Sequence, residues 1–431
     1  MSDFVRLGDH ISIAKGKPPA LIPFDGADAA AYLTPEYLRS RAVAVLAKPG
    51  RDAVVVADDD AVLLWDGSNA GEFFRGKAGL AASTMARLRP DESFDRRYLV
   101  HALKQLEPRL KSQTTGTGIP HVDREVLEAL RVFRPDPREQ QQVAEVLDTL
   151  DATIRQTEAI IEKLKQVKQG LLHDLLTRGI ADNGELRPPQ SEAPHLYKES
   201  ALGWIPRHWT LRRIDALLSA DEPAMRSGPF GSALLKHELV EHGVPLLGID
   251  NVHVERFHAE FTRFVTEKKF NELARYAVRA DDLMITIMGT VGRCCLVPEG
   301  VGRALSSKHT WTITLDRAAY SPLLAMLQIN YSEWISRQFA KDEQGGVMSA
   351  IRSETLRGLE LPTPPIKEQL AIEARMRAIS VRIDAESASL KKLRLKKSGL
   401  MDDLLTGRVR VTPLLKLTDP CATDPEPQTC R

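Results

Sequence analysis

The sequence predicts an α+β protein in which two mixed domains are joined by two long helices that pair as an antiparallel coiled coil with pseudo-twofold symmetry. Three observations predict this fold. One helical segment occurs twice, both copies carry heptad spacing, and the two remaining blocks mix strand and helix patterns. A chain organised as block, helix, block and helix favours a molecule with two related sites.

The repeated segment indicates an internal duplication. Residues 139–177 align with residues 368–406 without a gap, and 13 of the 39 aligned positions are identical. Both copies begin with Glu-Gln and end with Asp-Leu-Leu-Thr. A shared segment of this length is typical of a chain with two structurally related halves.

Apolar residues in both copies alternate at spacings of four and three. This is the narrow seam of a coiled coil, not the broader stripe of a helix that docks on a globule. Prolines precede each helix, and Gly179 and Gly407 follow the predicted ends. The seam positions singled out here are Leu147, Ile154, Thr157, Leu164 and Leu171 in the first copy and Met376, Ile383, Glu386, Leu393 and Leu400 in the second.

We expect the two copies to pair with each other, because a lone helix would expose its seam to water. An antiparallel register would place Val143 beside Leu404 and Leu175 beside Ile372. Thr157 and Glu386 would then lie within about one helical turn of each other near the middle of the pair. Two separate dimerisation helices are the alternative arrangement.

The blocks between the helices carry strand-like runs at 53–56, 61–65, 283–287 and 310–315 and helix-like stretches at 98–110 and 321–339. They share weak echoes, including Ser83-Thr84 with Ser306-Ser307. We predict a first mixed domain, a first helix, a flexible linker, a second mixed domain, a second helix and a flexible tail. These span residues 1–134, 135–180, 181–208, 209–363, 364–408 and 409–431.

Composition narrows the class of protein. The chain has 431 residues, enough for two domains, and 43% of them are hydrophobic. The sequence shows no apolar run long enough to cross a bilayer and no signal-peptide pattern, so we expect a cytoplasmic protein without membrane contact. The four cysteines lack zinc-site spacing, and no metal site is expected. A net charge of +1 gives no argument from overall basicity.

A search for catalytic motifs finds one partial match. Residues 71–77 resemble a phosphate-binding P-loop, but Ala78 stands where a Ser or Thr should hold magnesium. No nucleophile elbow, dinucleotide fingerprint or adenine-methyltransferase motif is present. We therefore expect no catalysis in this chain, and a nucleotide-dependent enzyme using Gly71 to Lys77 is the rival hypothesis.

Three polar, glycine-rich clusters are suited to contacting a polyanion through cations, hydroxyls and backbone amides. Each could equally be a well-capped turn. The candidate contact residues are Arg226, Ser227, Gly228, Phe230, Ser232 and Lys236 in the first cluster, Ser306, Ser307, Lys308 and His309 in the second, and Ser112, Thr114 and Thr115 in the third. On this interpretation Arg226→Ala or Lys308→Ala weakens binding of the polyanion without altering thermal unfolding.

The chain resembles the specificity subunit of type I restriction-modification enzymes over nearly its whole length. The residues that carry this resemblance are the helix starts 137–140 and 365–369, the helix ends 168–177 and 397–409, the segment from Tyr197 to Trp209, and the loop Gly228-Pro229-Phe230-Gly231-Ser232. The first block departs from the pattern, because its opening Lys15-Gly16-Lys17-Pro18-Pro19 lacks that loop. Its DNA-contacting residues cannot be carried over.

This resemblance implies that the two blocks are target-recognition domains, each reading one half of a split, asymmetric sequence in double-stranded DNA. The paired helices would act as a ruler between them. It further implies two modification subunits that bind S-adenosylmethionine and methylate adenine, and restriction subunits that use ATP and magnesium. Catalysis and cofactors would then belong to those partners. A coiled-coil scaffold without DNA contact is a third hypothesis.

Overall fold

The computed structural model describes residues 3–39, 43–114, 119–288, 290–343 and 351–411. The chain divides into two compact units, of which the first comprises residues 1–160 and 386–431 and the second comprises residues 161–385. Each unit therefore contains one mixed domain and one end of each long helix. The predicted α+β class is confirmed.

The described residues form nine α-helices. In chain order they are α1 (Pro35–Arg39), α2 (Arg96–Lys111), α3 (Arg124–Glu128), α4 (Pro137–Thr177), α5 (Glu267–Glu272), α6 (Pro322–Tyr331), α7 (Glu333–Glu343), α8 (Ser353–Gly358) and α9 (Ile366–Leu404). The stretch 321–339, predicted as one helix, is broken at Ser332 between α6 and α7. The long repeated helices are α4 and α9.

The strands of the first unit form two four-stranded sheets, in the orders β2-β9-β6-β7 and β4-β3-β8-β5, and the pair β1-β10. The strands are β1 (Phe4–Arg6), β2 (Ile11–Lys15), β3 (Ala30–Leu33), β4 (Leu46–Ala47), β5 (Val55–Val56), β6 (Ala61–Leu64), β7 (Phe73–Arg75), β8 (Gly79–Ala81), β9 (Met85–Pro90) and β10 (Arg131–Phe133). All pairs are antiparallel except β3 with β8.

The second unit repeats this plan. Its sheets have the orders β14-β22-β19-β20 and β18-β15-β21, with the pairs β13-β23, β11-β12 and β16-β17. The strands are β11 (Tyr197–Ser200), β12 (Gly203–Pro206), β13 (Thr210–Arg213), β14 (Met225–Ser227), β15 (Val244–Leu247), β16 (Val252–His253), β17 (Arg256–Phe257), β18 (Phe264–Val265), β19 (Leu283–Thr286), β20 (Cys294–Leu296), β21 (Leu305–Ser306), β22 (Thr310–Ile313) and β23 (Glu360–Thr363).

The linker predicted to be flexible contains an ordered hairpin, β11 with β12. Tyr197 and Ile205 of this hairpin are buried, at 3% and 1% exposure. Tyr197 lies in the polar stretch 181–200, whose composition favoured flexibility, and the prediction of a flexible linker is wrong for the hairpin. Of the predicted tail, residues after Val411 lie outside the described part of the chain.

The long helices begin and end as predicted. The Asp136 carboxylate accepts a hydrogen bond from the Glu139 N–H at 3.0 Å, which caps the start of α4. Both helices end shortly before a glycine at positive φ, Gly179 and Gly407. The sequence signals for helix start and stop are therefore reliable in this chain.

The two helices run antiparallel within the first unit. The Lys397 ammonium lies 2.6 Å from the Asp151 carboxylate, and Arg394 lies 2.7 Å from Glu158, so residue numbers rise along one helix as they fall along the other. Val143 and Leu404 belong to one buried cluster, as the predicted register requires. Within the second unit, Leu175 and Ile372 likewise share one cluster.

The seam positions of both helices are turned away from solvent. Leu147, Ile154 and Met376 are buried, and the remaining seam residues named above are buried or half-buried. The Thr157 hydroxyl donates to the Thr153 carbonyl at 2.9 Å, so its hydrogen bond is satisfied within its own helix. Glu386 is half-buried. That these two polar residues face each other stays a prediction.

A buried glutamate ties each unit to the end of the opposite long helix. The Glu139 carboxylate is 2% exposed and accepts hydrogen bonds from the Arg410 Nε at 2.9 Å and the Val411 N–H at 3.0 Å. The equivalent Glu368 accepts from the Arg187 Nη2 at 2.9 Å and the Ile180 N–H at 2.8 Å. Each duplicated glutamate thus accepts hydrogen bonds from one arginine side chain and one backbone N–H.

The glutamine that follows each glutamate ties the helix to its mixed domain. Gln140 accepts a hydrogen bond from the Asp95 N–H, and Gln369 accepts one from the Ser321 N–H, both at 2.8 Å. Asp95 and Ser321 are the residues that cap α2 and α6. We name these Glu-Gln pairs, 139–140 and 368–369, the junctions. They fix each mixed domain to the start of a long helix.

Candidate nucleic-acid interface

Two of the predicted clusters meet at one place in the second unit. The loop that follows β14 runs beside the loop that follows β21, and the Gly228 N–H donates to the Ser307 carbonyl at 3.2 Å. A Cβ added at Gly228 would lie 2.1 Å from the Ser306 carbonyl oxygen, far inside van der Waals contact. Only glycine allows the two backbones to approach this closely. The fold therefore brings the two loops together.

The two loops border an open cavity of about 360 Å³. Its lining is part apolar and part basic. The lining residues are Pro229, Gly231, Leu234, Leu235, Lys236, Leu239, Leu246, Arg263, Ser307, Lys308 and His309. We name this cavity and its rim the second-unit site.

Exposed cations and one aromatic ring surround the second-unit site. Lys236 and Lys308 are exposed, and Phe230 beside them is 59% exposed. Arg263, which precedes β18, contributes a further guanidinium and is hydrogen-bonded to Asp250. Sequence reasoning missed Arg263, because nothing in its neighbourhood resembles a glycine-rich loop. The site combines positive charge with a flat apolar group.

The surroundings of the His309 imidazole lower its pKa. Partial burial lowers its pKa, and the positive charges of Lys308 and Arg263 lower the pKa further. A histidine with a pKa below its usual value of about 6.5 is neutral at pH 7. His309 can therefore both donate and accept a hydrogen bond at this site.

Arg226 does not belong to this interface, which corrects the sequence prediction. It is 4% exposed and forms an ion pair with the fully buried Asp282. Its guanidinium also donates to the Ala277 carbonyl at 2.7 Å and to the Thr314 hydroxyl at 2.9 Å. Burial lowers the pKa of Arg226 and raises the pKa of Asp282. Its four hydrogen bonds all go to groups within the second unit, so Arg226 holds the domain together.

Four other predicted contacts are also buried. Ser227, Gly228, Ser306 and Ser307 lie beneath the exposed parts of their loops. The Ser306 hydroxyl lies 3.0 Å from the Thr310 hydroxyl and accepts from the Thr312 hydroxyl at 2.9 Å. Ser227, Gly228 and Ser306 therefore shape the loops, whereas Ser307 is buried and still lines the cavity. Phe230, Ser232, Lys236 and Lys308 are exposed, and His309 is half-buried.

Comparison with known proteins identifies the family. Residues 2–166 match the family model described as Type I restriction modification DNA specificity domain. The chain is 30% identical over 427 residues to the type I restriction enzyme MjaVIII specificity subunit of Methanocaldococcus jannaschii, covering 96% of this chain and 94% of that protein. The chain belongs to the family of type I restriction-modification specificity subunits.

More distant relatives agree with this assignment. The type I restriction enzyme EcoBI specificity subunit of Escherichia coli is 18% identical over 360 residues, which cover 82% of this chain and 74% of the relative. The crystal structure of a type I restriction-modification S subunit from M. genitalium aligns with a TM-score of 0.59 at 15% identity, covering 93% of this chain and 95% of that chain. That structural likeness concerns the fold.

The third predicted cluster of this specificity subunit caps the end of α2. The Ser112 hydroxyl donates to the Arg109 carbonyl at 2.8 Å, and the Thr114 hydroxyl donates to the Lys111 carbonyl at 3.1 Å. Thr115 lies outside the described residues. Both hydroxyls thus satisfy backbone groups at a helix end, which favours the capped-turn alternative.

The nucleotide-binding alternative does not fit the structure of this specificity subunit. Residues 73–75 form strand β7, with Phe73 and Phe74 buried, where a P-loop requires a loop that opens a helix. The Lys77 ammonium lies 4.4 Å from the centre of the Tyr37 ring. The hypothesis of a phosphate site at Gly71 to Lys77 is wrong.

The described residues hold no cluster of three or more His, Cys, Asp or Glu side chains arranged to bind a metal. Cys294 and Cys295 are buried free thiols, and burial raises the pKa of Cys295 to about 12. None of the described helices is long and apolar enough to span a membrane.

Proposed function

We propose that this specificity subunit reads double-stranded DNA through the second-unit site and through a corresponding site in the first unit, so that its target is split and asymmetric. The observation that carries the proposal is the cavity where Lys236, Arg263 and Lys308 surround a neutral His309. Cations contact phosphates or guanine edges, and a neutral imidazole hydrogen-bonds base edges. We take DNA as the ligand of this surface because the chain belongs to the family of DNA specificity subunits.

The proposal assigns catalysis to partner subunits. Two modification subunits would bind S-adenosylmethionine and methylate adenine within the target, and restriction subunits would use ATP and magnesium. This chain would determine only which DNA sequence the complex binds. Its support is the family to which the chain belongs, together with the failure of the P-loop hypothesis at β7.

Exchange of one mixed domain tests the proposal. Residues 1–134 end before α4 begins, so replacing them with the first block of another family member leaves the α4 helix sequence intact. Mapping of methylated adenines in DNA exposed to the complex with modification subunits should then show one half of the target changed and the other half kept. Changes in both halves, or in neither, would refute modular reading.

Lysine 308 provides a second test. Lys308→Ala should weaken DNA binding by the assembled complex and lower the salt dependence of the association constant by about one unit of slope, because one phosphate contact is lost. The exposed Lys268, outside the cavity lining, provides the matched control. Equal affinities and slopes for Lys308→Ala, Lys268→Ala and wild type would remove Lys308 from the interface. No gain in DNA affinity on assembly would favour the scaffold hypothesis.

A further inference from the structure

The first unit contains a cavity at the same topological place as the second-unit site. In each unit the cavity lies at the end of a parallel strand pair. Leu33 of β3 pairs with Ala81 of β8 in the first unit, and Leu247 of β15 pairs with Ser306 of β21 in the second. The sheets β2-β9-β6-β7 and β14-β22-β19-β20 also share their register. Leu64 pairs with Met85 in the first sheet, and Thr286 pairs with Thr310 at the equivalent place in the second. Strand order and register thus define equivalent positions.

Backbone hydrogen bonds define this equivalence residue by residue. The Trp65 N–H donates to the Thr84 carbonyl at 2.8 Å, and the Ile287 N–H donates to the His309 carbonyl at 3.1 Å. Ser83 and Thr84 therefore occupy the places of Lys308 and His309. The sequence comparison matched Ser83-Thr84 with Ser306-Ser307, which is two residues away from the pairing that the structure gives.

A close glycine contact is repeated as well. Lys15 and Ser227 occupy equivalent positions opposite β9 and β22, so Gly16 corresponds to Gly228. A Cβ at Gly16 would lie 2.0 Å from the Ala82 carbonyl oxygen, as a Cβ at Gly228 would collide with the Ser306 carbonyl oxygen. The opening of the first block, which lacks the Gly-Pro-Phe-Gly-Ser loop, nevertheless makes the same backbone approach.

The two cavities differ in charge. The first-unit cavity, of about 410 Å³, is lined by Tyr32, Thr34, Pro35, Glu36, Arg39, Leu64, Asp66, Gly67, Ser68, Asn69, Ala82, Ser83 and Thr84. Its cation, Arg39, is paired with the Glu72 carboxylate, which Arg39 Nε contacts at 3.1 Å. Arg263 of the second-unit site is likewise paired with Asp250, so the exposed lysines Lys236 and Lys308 make the difference. Asp66 lies 2.7 Å from the Lys15 ammonium. Of the other exposed lining groups, Glu36 is a carboxylate, whereas Ser68, Asn69 and Thr84 are neutral hydrogen-bonding side chains, and no lysine is among these lining residues.

We infer that the first-unit cavity is the second DNA-reading site, and that it recognises base edges through neutral side chains led by Asn69. An amide side chain forms two hydrogen bonds with the adenine edge in the major groove, whereas Lys and Arg favour guanine. The first half-site would therefore be read with little electrostatic attraction, and the second-unit site would supply most of the salt-dependent binding. This inference rests on the proposed DNA-reading function.

Substitution of Asn69 in the full chain, assembled with its modification subunits, tests the inference. Asn69→Ala should relax base choice at a position in one half of the methylated target and raise the Kd roughly 5- to 150-fold, which corresponds to the loss of one bidentate base contact. The slope of affinity against salt should not change. Lys308→Ala should instead lower that slope and weaken binding without changing base choice, because it removes a phosphate contact.

A second substitution and a control keep the outcomes distinct. Asn69→Asp retains the side-chain shape and should weaken DNA binding further by charge repulsion, while Ser112→Ala, at the capped end of α2, should leave the target unchanged. Melting curves verify that each variant is folded. An unchanged target for both Asn69 variants, or a change in the half of the target that exchange of residues 1–134 leaves unchanged, would overturn the inference and leave the proposed function intact. A wild-type complex without sequence preference would instead overturn the proposed function.

Discussion

Replacement of Glu368 with alanine is expected to lower the free energy of unfolding of the second unit by about 3–5 kcal/mol, because Arg187 would be left buried without its counter-charge. Both side chains are less than a tenth exposed. The Ile180 N–H would lose its acceptor too. Chemical denaturation of the full chain, followed by tryptophan fluorescence, measures the change; four of the five tryptophans, including the buried Trp209, lie in the second unit.

Two comparisons separate the buried ion pair from general loss of a glutamate. Glu354→Ala, at an exposed position on α8, should change stability by less than about 0.5 kcal/mol. The double variant Arg187→Met and Glu368→Leu removes both charges and should recover part of the stability lost in the single variant. A double variant less stable than Glu368→Ala would contradict the argument from an orphaned charge.

Arg226→Ala is expected to destabilise the second unit by a similar amount, about 3–5 kcal/mol, since Asp282 would remain fully buried without its cation. This reverses the expectation from sequence, in which Arg226→Ala weakens DNA binding and leaves unfolding unchanged. A thermal melt of the full chain decides between the two, because the structural role predicts a large drop in melting temperature.

Lys308→Ala is the matched comparison for Arg226→Ala, since each removes one cation, from the loop after β21 and from strand β14 respectively. Lys308 is exposed, so its removal should leave the melting temperature within a degree or two of wild type. If Arg226→Ala melted at the wild-type temperature and lost DNA affinity alone, Arg226 would have to face DNA, and the buried pair with Asp282 would be disproved.

The helices could be predicted from sequence because their signals are local. Heptad spacing repeats every 3.5 residues, and the caps at Asp136 and Gly179 lie next to the helix they delimit. The junction contacts of Glu139 and Glu368 were not predictable in detail, because Arg410 and Arg187 lie far away in sequence. The duplicated Glu-Gln dipeptide was the available signal for them.

The DNA-contacting residues could be predicted only in part. A glycine-rich loop indicates where a chain approaches a ligand, yet it does not distinguish a cation that faces outward from one that faces a distant carboxylate. Lys308 and Arg226 differ in this way, and the partner of Arg226, Asp282, follows it by 56 residues. Whether a charged side chain is buried depends on tertiary contacts with residues distant in sequence, which the local sequence does not indicate.

The correspondence between the two mixed domains escaped sequence comparison for a simple reason. Equivalent residues are not separated by a constant interval, because the second domain is longer between its strands. Lys15 corresponds to Ser227 near the start of each domain, and Met85 corresponds to Thr310 further along. An ungapped comparison aligns the helices and misaligns the sheets.

The junctions have a consequence for how such a protein changes over generations. Their hydrogen bonds join Gln140 and Gln369 to the backbone of helix caps, and they involve none of the loop residues around the two cavities. Mutation in the loops therefore leaves the attachment of each domain unaltered. Selection can explore new targets one side chain at a time, or by recombining whole domains, without re-evolving the scaffold that carries them.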